Sequence, residues 1–354
     1  MRNLNRHVSA CQRYEFEDVI AAADRVELLA PSPSPVRREN RIVRYSRKIL
    51  QQSRPLIDGE IHLDREYELF VAMCRRPRDL RYVQHINGLR EKCRFLIALF
   101  DEAWPDDISR SLPSDLELLR QFDGVFLNVE AGVEPIRQLT ERIPQYMPYG
   151  IDAVSFCPYP DSPRRCIDVL CMGRRPEGLH RALLARAQRG GDFYIYDTAS
   201  NFSVVDPGEH RRLLADMIKR SRYFIAYPGR FGQGVPQFLL GNRYFEGAAG
   251  GAVLLGMGPA NTPFEKYFDW PDAVFPTPAD GSQIEELIAD LDREPVRLAR
   301  LRQNGVIHSL LRHDWIYRWR QILEAVGLPV SRGVLEREER LKDLADLVGR
   351  ESVE

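Results

Sequence analysis

The chain has 354 residues, 44% of them hydrophobic and 29% charged, which is enough to bury a sizeable core and long enough for two domains. With 50 basic residues against 51 acidic ones, the formal net charge is -1. No global field therefore draws in nucleic acid or an anionic membrane, and any anion site has to be local.

The first residues, "MRNLNRHVSACQRYEFED", contain no apolar signal-peptide core, and the longest uncharged small or apolar run, residues 247–260, falls short of the ~20 residues that span a bilayer. A cytoplasmic protein with no transmembrane segment is expected. Six cysteines (Cys11, Cys74, Cys93, Cys157, Cys166 and Cys171) are scattered without a CxxC pair. Several lie in apolar strand-like runs, which suits reduced, buried thiols better than disulfides or zinc.

In chain order, "DRVELLAP" is followed by the break "PSPSP" and a basic helix-like segment, "VRRENRIVRYSRKILQQ". Strand-like "YELFVAM", helix-like "LRYVQHINGLREK", strand-like "CRFLIALF", helix-like "SDLELLRQF" and strand-like "GVFLNV" come next, the alternation of a parallel α/β sheet. This amino-terminal domain is assigned residues 1–150. "RIPQYMPYGIDAVSFCPYPDSPRR" breaks the rhythm with its prolines and reads as an interdomain crossing. The rhythm restarts with strand-like "CIDVLCMG", helix-like "LHRALLARAQR", strand-like "DFYIYD", helix-like "GEHRRLLADMIKRS" and strand-like "RYFIAYP". After the loop "GRFGQGVPQF" come the helix "NRYFEGAAG" and the strands "AVLL" and "DAVFPTP", and the rest is helical. Residues 151–330 make the second domain, and 331–354 a charged tail expected as a solvated helix or frayed end. Two such sheets in tandem leave a cleft lined by the carboxyl ends of strands, where open sheets bind ligands.

Glu246 stands near the start of a helix expected to face that cleft, and Gly247, Ala248, Ala249, Gly250 and Gly251 after it let the helix lie close to the sheet. "RYFEGAAGGAVLL" resembles the motif of GT-B glycosyltransferases of the family 4 type, in which a glutamate before a small-residue helix and an apolar strand holds the ribose of a nucleotide sugar. Three further stretches resemble that family in the right order. "FDGVFLNVEAGVEPIRQLTERIPQYMPYGIDAVSFCPYP" resembles the interdomain crossing, "IDVLCMGRR" the Gly-Arg turn at the donor diphosphate, and "LLRHDWIYRWRQIL" the terminal helix whose tryptophan bridges the domains. The resemblance covers residues 65–325.

It implies an α/β, GT-B fold: two Rossmann-like domains facing across a cleft, with a carboxyl-terminal helix crossing back to the amino-terminal domain. It also implies a glycosyltransferase of the hexosyltransferase type, moving a sugar from a nucleotide diphosphate sugar to an acceptor hydroxyl on a glycan, lipid-linked sugar or small molecule, with no metal or cofactor. The donor site it implies is Gly173, Arg174, Arg175, Arg230, Gly232, Arg243, Phe245 and Glu246. The likeness favours retention of the anomeric configuration.

The sequence departs from the family pattern at several points. Phe238 occupies the place of the first glutamate, and no lysine follows Arg174 and Arg175, leaving Arg230 or Arg243 to supply that charge. No histidine follows "CRFLIALF"; Asp101 and Glu102 stand there and are the candidate catalytic bases. Each candidate also has a plainer role. Glu246 would favour a helix amino terminus electrostatically, and Arg174 and Arg175 would suit a solvated turn. Gly229, Gly232 and Gly234 either cradle phosphate through backbone amides or form a simple turn, and "DEAWP" suits a polar helix start. Asp290 and Asp292 spell a DxD but end a helix, where they read as surface charges. His308 and His313, five apart, do not share a helix face as ligands, and His313 reads as a packing residue. Two alternatives stay open. One is a non-catalytic nucleotide-sugar-binding module, which the missing glutamate and histidine suit. The other is a GT-B relative such as a nucleotide-sugar epimerase. A phosphorylase would need a lysine for pyridoxal phosphate, and the carboxyl half has only Lys219, Lys266 and Lys342.

Overall fold

The computed structural model describes residues 6–29, 60–140, 143–198, 202–232 and 239–351. "PSPSP", the basic segment after it, Gly234 and Phe238 lie outside the described residues. The chain forms two compact units, one of Met1–Arg6 with Glu27–Met147 and the other of His7–Val26 with Pro148–Glu354. The first helix, α1 (Cys11–Ala23), thus belongs to the carboxyl-terminal unit. Nothing in its sequence signals this.

The amino-terminal unit is built on four parallel strands in sequential order, β1 (Tyr67–Cys74), β2 (Cys93–Phe100), β3 (Gly124–Leu127) and β4 (Gln145–Tyr146), with helix α2 (Val133–Thr140) between the last two. Leu96 to Phe100 are buried without alternation, as expected of a parallel strand covered on both faces. The helix expected over 80–92 is broken instead. Tight 3-10 turns run over Pro77–His85, then Ile86–Asn87 pairs with Ile61–His62, and a single turn follows at Leu89–Lys92. Gly88, left-handed at φ 69°, separates the pieces.

The carboxyl-terminal unit carries β5 (Ile167–Cys171), α3 (Glu177–Gly190), β6 (Tyr194–Tyr196), α4 (Pro207–Lys219), β7 (Ser221–Ala226), α5 (Asn242–Ala249), β8 (Val253–Gly256) and β9 (Phe275–Pro276). Its parallel sheet has the order β9-β8-β7-β5-β6. The chain winds outward from β5 to β6, then returns past β5 to start β7 on its other side. The strand order therefore reverses between β5 and β7, and the carboxyl ends of these two strands flank the position where open sheets bind ligands. The small residues act as expected: a Cβ on Gly247 would lie 2.3 Å from Leu254 Cδ2 and 2.7 Å from Phe224 Cδ1, so only glycine lets α5 lie this close to β7 and β8.

Towards its carboxyl end the unit adds α6 (Ile284–Asp292), α7 (Pro295–Arg312), α8 (Trp315–Ala325) and α9 (Arg332–Arg350). The tryptophans of α8 return to the chain's amino terminus by way of α1. Trp315 stacks on Phe16 at 4.9 Å, and Trp319 Nε1 donates to Asp24 Oδ2 at 2.9 Å. Both contacts lie inside the carboxyl-terminal unit. The expectation of a solvated or frayed tail is corrected, because α9 packs against α7 and buries Val334, Leu341, Ala345 and Val348, which recur at helical spacing on one face. Glu338, buried on that face, is held by Arg320 at 2.6 Å. Cys11, Cys74, Cys93, Cys157 and Cys171 are buried free thiols, and Cys166 is exposed. No described helix is long and apolar enough to cross a membrane.

Candidate active site at the strand switch point

The turn after β5 begins at Gly173, whose φ of +83° disfavours any side chain. A Cβ there would also lie 2.8 Å from Arg243 Nη2, so the turn and the first residues of α5 touch. Asp197, just past β6, organises this turn. Its Oδ1 accepts from Gly173 N and Arg175 Nη1, both at 2.9 Å, and its carbonyl accepts from Arg175 Nη2 at 2.9 Å. The Arg175 guanidinium lies over the Tyr196 ring at 5.0 Å, and Arg174 is exposed. Gly173 thus spends its amide on Asp197, and its contribution to the site is room for Arg243.

Glu246 corrects the expectation of a partly exposed carboxylate at a cleft: it is 1% exposed. Its Oε1 accepts from Arg211 Nη1 and its Oε2 from Arg243 Nη1, each at 2.5 Å. Arg211, on α4, lies over the Phe156 ring at 5.1 Å and donates through Nε to Glu15 Oε2 at 2.6 Å. Glu15, on α1, also accepts at Oε1 from Asp152 N and Trp315 Nε1, both at 2.9 Å. The result is a line of alternating charge, Glu15–Arg211–Glu246–Arg243. Its first three members are buried, while the Arg243 side chain is 32% exposed. Burial alone would raise the Glu246 carboxyl, but Arg243 and Arg211 outweigh it and hold the group at about 2. Burial pushes the Glu15 carboxyl up against the opposing pull of Arg211. The register of α5 explains the difference from expectation, since position 246 falls on the inner face one turn after Arg243. A ribose could reach the carboxylate only by displacing that arginine.

Phe245 is likewise corrected as a donor contact. It is fully buried, edge-on to Phe268 at 5.2 Å and to His313 at 5.0 Å. His313 is a packing residue in this aromatic cluster, with neither ring nitrogen hydrogen-bonded among the described residues. Arg230 follows β7, half-buried at φ 59°, and Gly232 is exposed with φ +74° and open space around it. Asp292 accepts from Arg222 and, at 2.6 Å, from the Tyr223 hydroxyl at the amino end of β7, while Asp290 pairs with Arg293. Among the described residues no three His, Cys, Asp or Glu side chains gather to hold a metal.

In the amino-terminal unit Asp101 and Glu102 follow β2 directly. Their amides donate to Cys74 O at 3.1 Å and Arg75 O at 3.0 Å. Asp101 is buried, and Glu102 forms an ion pair with Arg75, with Nη2 at 2.5 Å and Nε at 2.7 Å. Sequence reasoning missed Asp197, Arg211 and Glu15. Asp197 ends the legible strand "DFYIYD", a position that could have flagged it. Arg211 sits inside an ordinary amphipathic helix and Glu15 in a stretch with no landmark.

Residues 174–324 match a family model described as glycosyl transferase-like. No curated protein matches the sequence. Among solved structures, Alr3699/HepE of Anabaena in complex with UDP and glucose is 12% identical, covering 90% of this chain and 94% of that one, with a TM-score of 0.49. Accessory secretory protein 1,2 and 3 of Streptococcus pneumoniae is 9% identical over 86% of this chain and 57% of that one, with a TM-score of 0.41. Likenesses this low transfer no residue role. The glycosyl transferase-like match itself begins in the turn after β5 and ends in α8, so it takes in Arg174, Arg175, Asp197, Arg211, Arg243 and Glu246 but not Glu15.

Proposed function

We propose that this chain is a glycosyltransferase of the hexosyltransferase type, moving a sugar from a nucleotide diphosphate sugar to an acceptor hydroxyl in the cytoplasm. One observation carries the reading: at the switch point of a glycosyl transferase-like domain, an arginine held by a buried carboxylate lies against the glycine turn that ends β5. In this mechanism Arg243 meets the donor diphosphate, and Arg174, Arg175 and Arg230 add positive charge around it. Glu246 aims Arg243. Cations fixed in place before reaction stabilise the charge that develops on the leaving diphosphate without reorganising, and they do so without a metal ion. Asp101 or Glu102 takes the proton of the acceptor hydroxyl.

Titration calorimetry with UDP, GDP, ADP and TDP tests the donor site. One of them is expected to bind, and Arg243→Ala to weaken it at least ~10-fold, since one hydrogen bond to a charged group is worth about 1.5–3 kcal/mol. Failure of all four to bind the wild type would sink the reading. A second reading, a nucleotide-sugar-binding module without turnover, is favoured by the pairing of Glu102 with Arg75, which occupies a candidate base. Slow hydrolysis of the matching nucleotide sugar, unaffected by EDTA, supports the enzyme, whereas binding without any hydrolysis or transfer supports the module.

A further inference from the structure

Arg243 has a long, flexible side chain on the first turn of α5, and such a side chain loses roughly 2 kcal/mol of rotamer freedom when it is fixed. What fixes it is Glu246, whose other oxygen is fixed by Arg211, whose Nε is fixed by Glu15. Glu15 is anchored in turn by two donors outside this line, Asp152 N and Trp315 Nε1. Burying charges in this way is a poor route to stability, because well-packed apolar side chains of similar volume often do as well or better. An apolar core cannot, however, carry a fixed position from α1 through α4 to a guanidinium that emerges, one-third exposed, against Gly173.

We infer that Arg211 and Glu15 are positioning residues for the donor diphosphate: acting through Glu246 they fix where Arg243 sits, so the amino-terminal helix α1 is a working part of the donor site. This rests on the proposed function, because it takes Arg243 to be the group that meets the diphosphate. Arg211 is the central joint, since its planar fork serves two carboxylates on different elements at once. A lysine ammonium, a point charge on a flexible stem, cannot reproduce that geometry.

The test uses the full-length protein with Arg211→Gln, the pairwise neutral Glu15→Gln/Arg211→Gln, and Arg211→Lys. The double variant removes one charge of each sign and is the form expected to stay folded if the single one does not. Each is titrated with the nucleoside diphosphate that binds the wild type and with the corresponding nucleoside, from about pH 8 to pH 5.5. Arg211→Gln or the double variant should bind the nucleoside diphosphate about 10-fold more weakly near pH 7.5, with Arg211→Lys in between, while nucleoside binding is unchanged. The ratio of variant to wild-type Kd should vary with pH over this range, because without Arg211 two groups titrate more readily: Glu246, whose protonation releases Arg243, and His210, which interacts with Glu246 and whose proton Arg211 opposes in the wild type; titration of the ligand itself cancels in the ratio. A folded double variant with wild-type affinity for the nucleoside diphosphate overturns the inference. So does a loss that is independent of pH or shared equally by the nucleoside, either of which marks a merely structural role. Absence of nucleotide binding in the wild type overturns the proposed function itself, and this inference with it.

Discussion

Replacing Arg211 by methionine, which is of similar length but uncharged, removes the one group that compensates two buried carboxylates at once. Among the described residues Glu246 would keep only Arg243, and Glu15 would keep only neutral donors. Two routes give the magnitude. Against the opposing cost of burial, Arg243 and Arg211 lower the Glu246 carboxyl from an ordinary 4.5 to about 2, a net effect of roughly 3 kcal/mol. Breaking a buried ion pair by deleting one partner costs about 3–5 kcal/mol. For a folded body of about 150–250 residues each 1 kcal/mol moves Tm by about 2–4 °C, so Arg211→Met should lower Tm by roughly 6–20 °C near pH 8. The pH dependence follows from the direction of each shift. In the wild type the Glu246 value lies below that of the unfolded chain, so the stability it contributes is present above about 4.5 and lost as pH falls from there towards 2. In the variant Glu15, which burial already raises and which has lost the opposing pull of Arg211, rises further, so its charge costs more stability at neutral pH than in the wild type and that cost is relieved as pH falls. The gap in Tm between wild type and variant should therefore narrow from pH 8 to pH 5, measured by circular dichroism melting. A gap below about 2 °C at pH 8, or one that stays constant with pH, would refute the reasoning.

Three further outcomes are expected. Gly173→Ala adds a side chain to left-handed backbone, costing about 1–2 kcal/mol, and its methyl displaces Arg243 Nη2; a small fall in Tm with nucleotide affinity weaker by ~10-fold is expected, and unchanged affinity in calorimetry would separate Gly173 from the donor site. The buried His313 has its value held well below 6.5, first by desolvation and then by Arg318 and Arg312, so the stability it contributes is present above pH 6.5 and lost as pH falls below it. His313→Phe should therefore raise Tm relative to wild type more at pH 5.5 than at pH 8, and an equal difference at both would rule out this titration. Glu102→Gln should lower sugar transfer by ~10²-fold while leaving nucleotide affinity intact, in line with general-base contributions of about 10²–10⁴. Transfer at the wild-type rate would remove Glu102 from the mechanism.

The order of elements was legible because buried parallel strands are continuous apolar runs: "CRFLIALF" is β2 residue for residue, and "AVLL" overlaps β8. The small residues after Glu246 were read correctly as close packing for the same local reason, since what a glycine permits is fixed by its own missing Cβ. The broken segment over 80–92 was less legible, because its apolar spacing suits a helix and only Gly88 interrupts it. The buried stripe of α9 is present in the sequence at helical spacing, but it is outnumbered by the charges on the rest of that helix. What no local pattern could disclose is the state of Glu246. Its partner Arg211 lies 35 residues away, and Arg211 in turn meets Glu15 across 196 residues. The sequence by itself determined that an acidic side chain would lie within a helix packed tightly against a parallel sheet. Whether that side chain met water or guanidinium groups was decided only by the packing of α1, α4 and α5, because exposure and charge state depend on which distant groups desolvate and pair with it.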